Sequence, residues 1–192
     1  MDDGILRLFR SQSLAEAQKR FAEMIRVAQE AYGAELTMIT CSAVPKNMLE
    51  RLRGSYALPV LKPILKIDEP MARQAVAAGK RIGVVVTFPP TLEPTCKLLT
   101  AAAEEAGVGV DIVTEVSPAA YQALLANDHQ THDKLLLAAI KRLDEQKVDA
   151  IVLAQVSMAR ILAQLEDQVT APVLSSLKTS LEAIREALKE KR

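Results

Sequence analysis

The sequence predicts an α/β protein of two pseudo-symmetric lobes, each a parallel sheet flanked by helices, with the N-terminal lobe incomplete. Three observations carry this expectation. The segment ELTMITCSAVPKNMLERLRGSYALPVL (35–61) is answered by DAIVLAQVSMARILAQLEDQVTAPVL (149–174), and each reads as strand, polar crossing, amphipathic helix and second short strand. A strand that returns through a helix to another strand is a βαβ unit, which requires a parallel sheet. RIGVVVT (81–87) is a nearly continuous apolar run, the pattern of a strand buried on both faces. When Cys41 is aligned with Gln155, Met1 falls opposite Glu115, so the strand, helix and strand predicted over 81–116 have no counterpart ahead of the first copy.

The elements follow in chain order. Ser13-Leu-Ala-Glu16 has the form of a capping box, opening a helix that ends at Gly33. A strand over 35–41 ends in Cys41-Ser42, and Pro45 suits the first turn of a helix that stops near Gly54. LPVLKPIL (58–65) is strand-like, with Pro63 expected to confine the ladder to its start. Asp68-Glu-Pro70 opens a short helix ending at Gly79. Thr91 and Pro94 start a helix that ends at Gly107, and GVDIVTEV (109–116) is the next strand. Ser117-Pro118 caps a helix to about Ala126, and another runs from Thr131 to Gln146. Strand 149–154, helix 157–167, strand 172–174 and a last helix from Ser176 complete the order. The expected division is an N-terminal lobe of 1–79, joined by the C-terminal helix 176–192, and a C-terminal lobe of 80–175.

Composition narrows the function classes. The chain balances 24 basic against 24 acidic residues and has 3% aromatic residues without Trp, so no basic stripe with stacking aromatics is present to recruit nucleic acid. No apolar run approaches the roughly 20 residues of a membrane span, and MDDGILRLFR lacks a signal-peptide pattern. Two cysteines, Cys41 and Cys96, do not make a disulfide framework, so a reduced cytoplasmic location is expected. No Walker loop, GxGxxG or zinc spacing occurs.

In parallel sheets ligands bind beyond the carboxyl ends of the strands, which is where Cys41 and Gln155 stand. CSAVPKNMLERLRGSYALPVL, IDEPMARQAV, RIGVVVTFPPTLEPT and DAIVLAQVSMARI together resemble the aspartate/glutamate racemase superfamily, which includes hydantoin racemases, maleate isomerases and arylmalonate decarboxylases. The resemblance covers most of the chain from about residue 35. It implies two facing α/β lobes, no cofactor, and a cysteine from each lobe flanking the substrate carbon. Cys41 matches the first family cysteine, and Gln155 falls where the second would be. An amide cannot exchange a proton near neutral pH, so a two-base mechanism, which needs an acid and a base on opposite faces of the carbon, is not expected. A single thiolate still permits one-sided proton delivery, addition to an activated double bond or covalent catalysis.

Cys41 is therefore the candidate catalytic residue, its thiolate favoured by the helix N-terminus that follows; the bland reading is a small buried hydrophobe. Thr87-Phe-Pro-Pro-Thr91 runs from a strand into a hydroxyl-rich turn that could hold a carboxylate, as the resemblance implies for Thr87 and Thr91, or Thr91 could be an N-cap alone. Ser42, Gln155, Val156 and Ser157 complete the expected substrate-binding set, with helix capping as the alternative for the serines. Ser175-Ser176 reads mainly as a cap, and Cys96 has no assigned role. His129 and His132 are spaced to share a helical face but lack a third metal ligand, so an exposed helix start is expected and no metal. Asp68-Glu69 reads first as charge complementing a helix dipole, and only weakly as a substrate-side pair. Two functions remain open: a cofactor-independent isomerase or racemase acting on a small carboxylate or amino acid through Cys41, and a member of the fold that binds a carboxylate without turnover or serves as a scaffold. Strands lacking their lobe neighbours should expose apolar surface, to be covered by another copy of the chain, by the N-terminal helix displaced from its usual place or by further residues of a longer protein; a homo-oligomer is expected.

Overall fold

The computed structural model describes residues 5, 7–8, 11, 13–42, 44–54, 63–165 and 168–189. In chain order these form α1 (Leu14–Glu30), β1 (Thr37–Ile39), α2 (Lys46–Gly54), β2 (Ile64–Lys66), α3 (Glu69–Ala78) and β3 (Arg81–Val86). A 3-10 turn (Pro89–Thr91) then leads into α4 (Leu92–Glu105), β4 (Asp111–Val116), α5 (Pro118–Leu125) and α6 (His129–Glu145). The chain continues as β5 (Ala150–Leu153), a 3-10 helix (Val156–Gln164), β6 (Val173–Ser175) and α7 (Ser176–Lys189). The sheets are two: a β1-β2 pair and a four-stranded sheet of order β4-β3-β5-β6, every pairing parallel. The fold is thus α/β with parallel sheets flanked by helices.

Burial explains which strands are central. Ile82 to Val86 and all of β5 are buried, as strands with a helix layer on each face must be, whereas edge strand β4 is half-buried or exposed throughout. Side chains alternate between faces. Val85, Ile151 and Leu153 pack with Leu136, Ile140 and Leu143 of α6, while Ile82, Val84, Val86 and Val152 pack with Met71, Ala75 and Leu99 of α3 and α4. A third core joins Ile39 and Ile64 to Ala17, Phe21 and Ile25 of α1 and to Met48, Leu49 and Leu52 of α2. Each fully buried Leu or Ile contributes roughly 1.5–3 kcal/mol by leaving water. At Gly83 a Cβ would lie 3.0 Å from Leu143 Cδ1, so glycine lets α6 approach β3 closely. No helix among the described residues is long and apolar enough to cross a membrane.

The repeat is present in the register of the ladders, but its second strand is displaced. Thr37, Met38 and Ile39 pair with Ile64, Leu65 and Lys66, as Ile151, Val152 and Leu153 pair with Val173, Leu174 and Ser175. The Thr37 amide donates to Pro63 O and the Ile151 amide to Pro172 O, both at 2.9 Å. Pro63, not Pro59, is therefore the counterpart of Pro172. The expected strand at 58–62 lies outside the described residues, and the ladder follows Pro63 rather than stopping there. A proline at the head of a strand loses nothing, because its carbonyl alone is needed.

Three local expectations change. Ser13 is the N-cap of α1 without a side-chain capping bond; its hydroxyl lies 3.1 Å from that of Ser11, so the capping box is not formed. Helix α6 begins at His129, because the Asp128 carboxylate accepts from the Thr131 amide and caps it two residues earlier. The segment after Gln155 winds as a 3-10 helix ending at Gln164, long for that geometry. By contrast Gly33, at φ +66°, closes α1 as expected, with the Ala34 amide reaching back to Ala28 O.

Candidate functional site

The carboxyl ends of β1 and β5 meet through one serine. Ser42 is buried, and its hydroxyl donates to Ala154 O at a long 3.4 Å, while the Ala154 amide continues the β5 ladder by donating to Val85 O. Cys41 and Gln155 are the chain neighbours of these two residues, so this bond sets the two strand ends beside each other. Cys41 is half-buried and packs against the core formed by α1, α2 and β1. Cys96, half-buried on α4, has its thiol pushed up in pKa by burial.

Gln155 is committed to the turn that follows β3. Its Oε1 accepts from the Thr87 amide at 3.0 Å and from Thr87 Oγ1 at 3.3 Å. Its Nε2 donates to Thr91 Oγ1 at 2.6 Å and to Phe88 O at 3.4 Å, and the Thr91 hydroxyl donates in turn to Phe88 O. A carboxamide has two acceptor sites and two donors, and all four are engaged here. Thr87 and Thr91 are buried, and Phe88 packs on Tyr121 of α5 with ring centroids 5.1 Å apart. An anion entering this turn would have to displace the amide of Gln155. Val156 and Ser157 lie exposed at the start of the 3-10 helix. Ser175 and Ser176 are buried, and neither hydroxyl has a partner among the described residues.

His129 is exposed, but His132 is fully buried rather than part of an exposed helix start. Its Nδ1 lies 2.9 Å from Asp133 Oδ1, and Asp133 Oδ2 accepts from Gln164 Nε2 at 2.8 Å with Arg160 at 3.3 Å. Burial pushes the Asp133 carboxyl up, but the hydrogen bonds from His132 and Gln164 and the Arg160 charge outweigh it and hold the group below its ordinary value. These contacts tie the 3-10 helix to α6. No cluster of three metal-binding side chains exists among the described residues.

A buried ion pair, not anticipated from the sequence, stands at the end of β2. Lys66 Nζ lies 2.5 Å from Asp68 Oδ1, with side-chain exposures of 3% and 2%. Asp68 gives no capping bond to α3, and its Oδ2 has no partner among the described residues. Burial raises the Asp68 carboxyl above its ordinary value against the opposing pull of Lys66. Lys66 Nζ also donates to Ser42 O at 3.4 Å, which sets the ammonium beside the carbonyl of the residue that follows Cys41. Lys66 lines a cavity of about 600 Å³ together with Val44, Pro45, Leu49, Pro94 and Leu98, between α2 and α4. The signal for this pair was in the sequence: a lysine inside the apolar strand PILKI is almost never buried without a partner.

The profile of the Asp/Glu/hydantoin racemase family matches residues 7–184. Among solved structures, glutamate racemase isoform RacE1 of Bacillus anthracis superposes with a TM-score of 0.68 at 16% identity, over 93% of this chain and 66% of that one. Allantoin racemase of Klebsiella pneumoniae gives 0.68 at 21% identity, over 91% and 67%. An arylmalonate decarboxylase gives 0.62 at 16% identity, over 90% and 77%. The chain thus spans about two thirds of the length of these two racemases, and likeness at such identity is one of fold. No curated protein sequence matches.

Proposed function

Because the chain belongs to the Asp/Glu/hydantoin racemase family, we propose that it is a cofactor-independent enzyme of the isomerase type that acts on a small carboxylate or amino acid, with Cys41 as its one proton-transferring thiol. The observation that carries this reading is the engagement of Gln155. The residue that stands opposite Cys41 in the repeat has all four hydrogen-bonding positions filled by Thr87, Phe88 and Thr91, and an amide neither gives up nor accepts a proton near neutral pH. Proton transfer is then confined to one face of the ligand carbon, which suits isomerisation, or protonation after decarboxylation, better than two-sided racemisation. In this reading Ser42 and Ser157 flank the ligand, and the protein works in the cytoplasm as a homo-oligomer.

The test is solvent-deuterium incorporation into a probe set of both enantiomers of aspartate and glutamate, allantoin and phenylmalonate. Deuterium should enter from one face only, and Cys41→Ser should slow it by about 10²–10⁴-fold, the usual contribution of a general acid–base. Interconversion of both enantiomers at comparable rates would refute one-sided chemistry.

A second reading, a carboxylate-binding member without turnover, is favoured by the same amide, because Gln155 leaves no proton-transferring group opposite Cys41. It predicts that Cys41→Ser binds the carboxylate probes as well as the native chain, and that neither protein exchanges deuterium.

A further inference from the structure

With Gln155 seated in the Thr87–Thr91 turn, a carboxylate ligand needs another cation or donor set beside Cys41. We propose that Lys66, braced by Asp68, is the group that receives the ligand carboxylate at the Cys41 site; this rests on the reading of Cys41 given above. Lys66 is the one buried lysine or arginine among the described residues. The ladder sets it opposite Ile39, two residues before Cys41. Its ammonium has three donors, of which one is held by Asp68 and one makes only the long contact to Ser42 O, and Lys66 lines a cavity whose wall it shares with Val44 and Pro45.

The surrounding charges are already matched elsewhere. Lys46 is exposed and paired with Glu105, Lys97 is exposed and paired with Glu93, and Glu69 on α3 is held by Arg53. A buried ion pair adds little net stability compared with apolar residues of the same size, so the Lys66–Asp68 pair calls for another reason. Asp68 supplies one. Its second oxygen lacks a partner among the described residues, and burial already favours its protonated form. When a ligand carboxylate reaches Lys66, Asp68 can take up a proton, so that the ammonium faces one anion instead of two. The ligand class is a small carboxylate within about 600 Å³, bound more tightly as pH falls toward the range where Asp68 protonates.

The test uses two alkylating probes of the same shape, iodoacetate and iodoacetamide. With either, the Cys41 sulfur forms a bond to carbon, iodide leaves and the thiol proton passes to solvent; only the probe charge differs. Mass spectrometry gives the iodoacetate-to-iodoacetamide rate ratio at Cys41, with Cys96 as internal reference. The ratio at Cys41 should exceed that at Cys96 by about tenfold or more, as one nearby unscreened charge produces. It should fall to the Cys96 level in Lys66→Met and in Lys66→Met/Asp68→Leu, the second variant leaving no stranded buried charge. It should rise in Asp68→Asn and stay unchanged in Lys141→Met, on the exposed face of α6. An equal ratio at Cys41 in the native chain and in both Lys66 variants would overturn the proposal. If the ratio follows Lys66 while Cys41 reacts with iodoacetamide no faster than Cys96, the carboxylate anchor stands and the activated thiol fails.

Discussion

The carboxyl ends of β1 and β5 are equivalent places in the repeat, yet their polar groups have opposite fates. After β5, Gln155 turns into its own sheet and saturates the turn after β3. After β1, Cys41 and Ser42 stay at the junction of the two sheets, and Lys66 on the neighbouring strand carries a charge into the wall of a cavity. The second strand ends differ likewise: Lys66 stands where the other copy has Ser175, a buried hydroxyl without a partner among the described residues. Pseudo-symmetry of backbone therefore does not carry symmetry of chemistry. In one copy the strand-end amide is spent on structure, and in the other a buried lysine, Lys66, stands in the wall of a cavity.

The largest effect expected from breaking this contrast is at Gln155. Gln155→Ala removes the bonds of its amide to the Thr87 amide and hydroxyl, to Phe88 O and to Thr91 Oγ1, and should lower stability by about 1–3 kcal/mol, the cost of unpairing buried polar groups, as read by urea unfolding. If Gln155 were an open ligand-facing residue, the loss would be within a few tenths of a kcal/mol. The same variant vacates the turn, and should strengthen binding of a dicarboxylate such as succinate.

A smaller, pH-dependent effect should come from the fastening of the 3-10 helix in the second copy. Asp133 is held below its ordinary value of 3.8, so its contribution is fully present above that pH and is lost as pH falls through the lowered folded value. Asp133→Asn should destabilise by about 1 kcal/mol at neutral pH, with the difference from the native chain shrinking on acidification below the ordinary carboxylate range. A difference independent of pH would mean that charge is not what holds Gln164 and Arg160 to α6.

Much of the fold was legible because one signal dominated. RIGVVVT could only be a strand covered on both faces, and DAIVLAQ is its partner in the same layer. The second strand of the first copy was displaced because Pro-Val-Leu recurs at 59–61 and 172–174, while backbone pairing depends on the proline carbonyl at 63. The candidate site was half legible. Cys41, Ser42, Thr87, Thr91 and Gln155 were named from their strand-end positions, but that Gln155 satisfies both threonines is a three-dimensional fact with no sequence pattern. Lys66 escaped because it lies inside a strand, where the sequence pattern marks no ligand-facing position, rather than after one. His132 escaped because its partner Asp133 is itself fixed by Gln164 and Arg160 from the 3-10 helix, which the sequence around His132 does not reveal.

The central claim, that reactive chemistry is confined to the first copy, is tested most directly by iodoacetamide labelling at neutral pH with and without succinate. Cys41 should be modified faster than Cys96, whose thiol burial pushes up, and succinate should protect Cys41 alone. Equal, slow labelling of both cysteines, unaffected by succinate, would contradict the account and leave Cys41 as a packing residue.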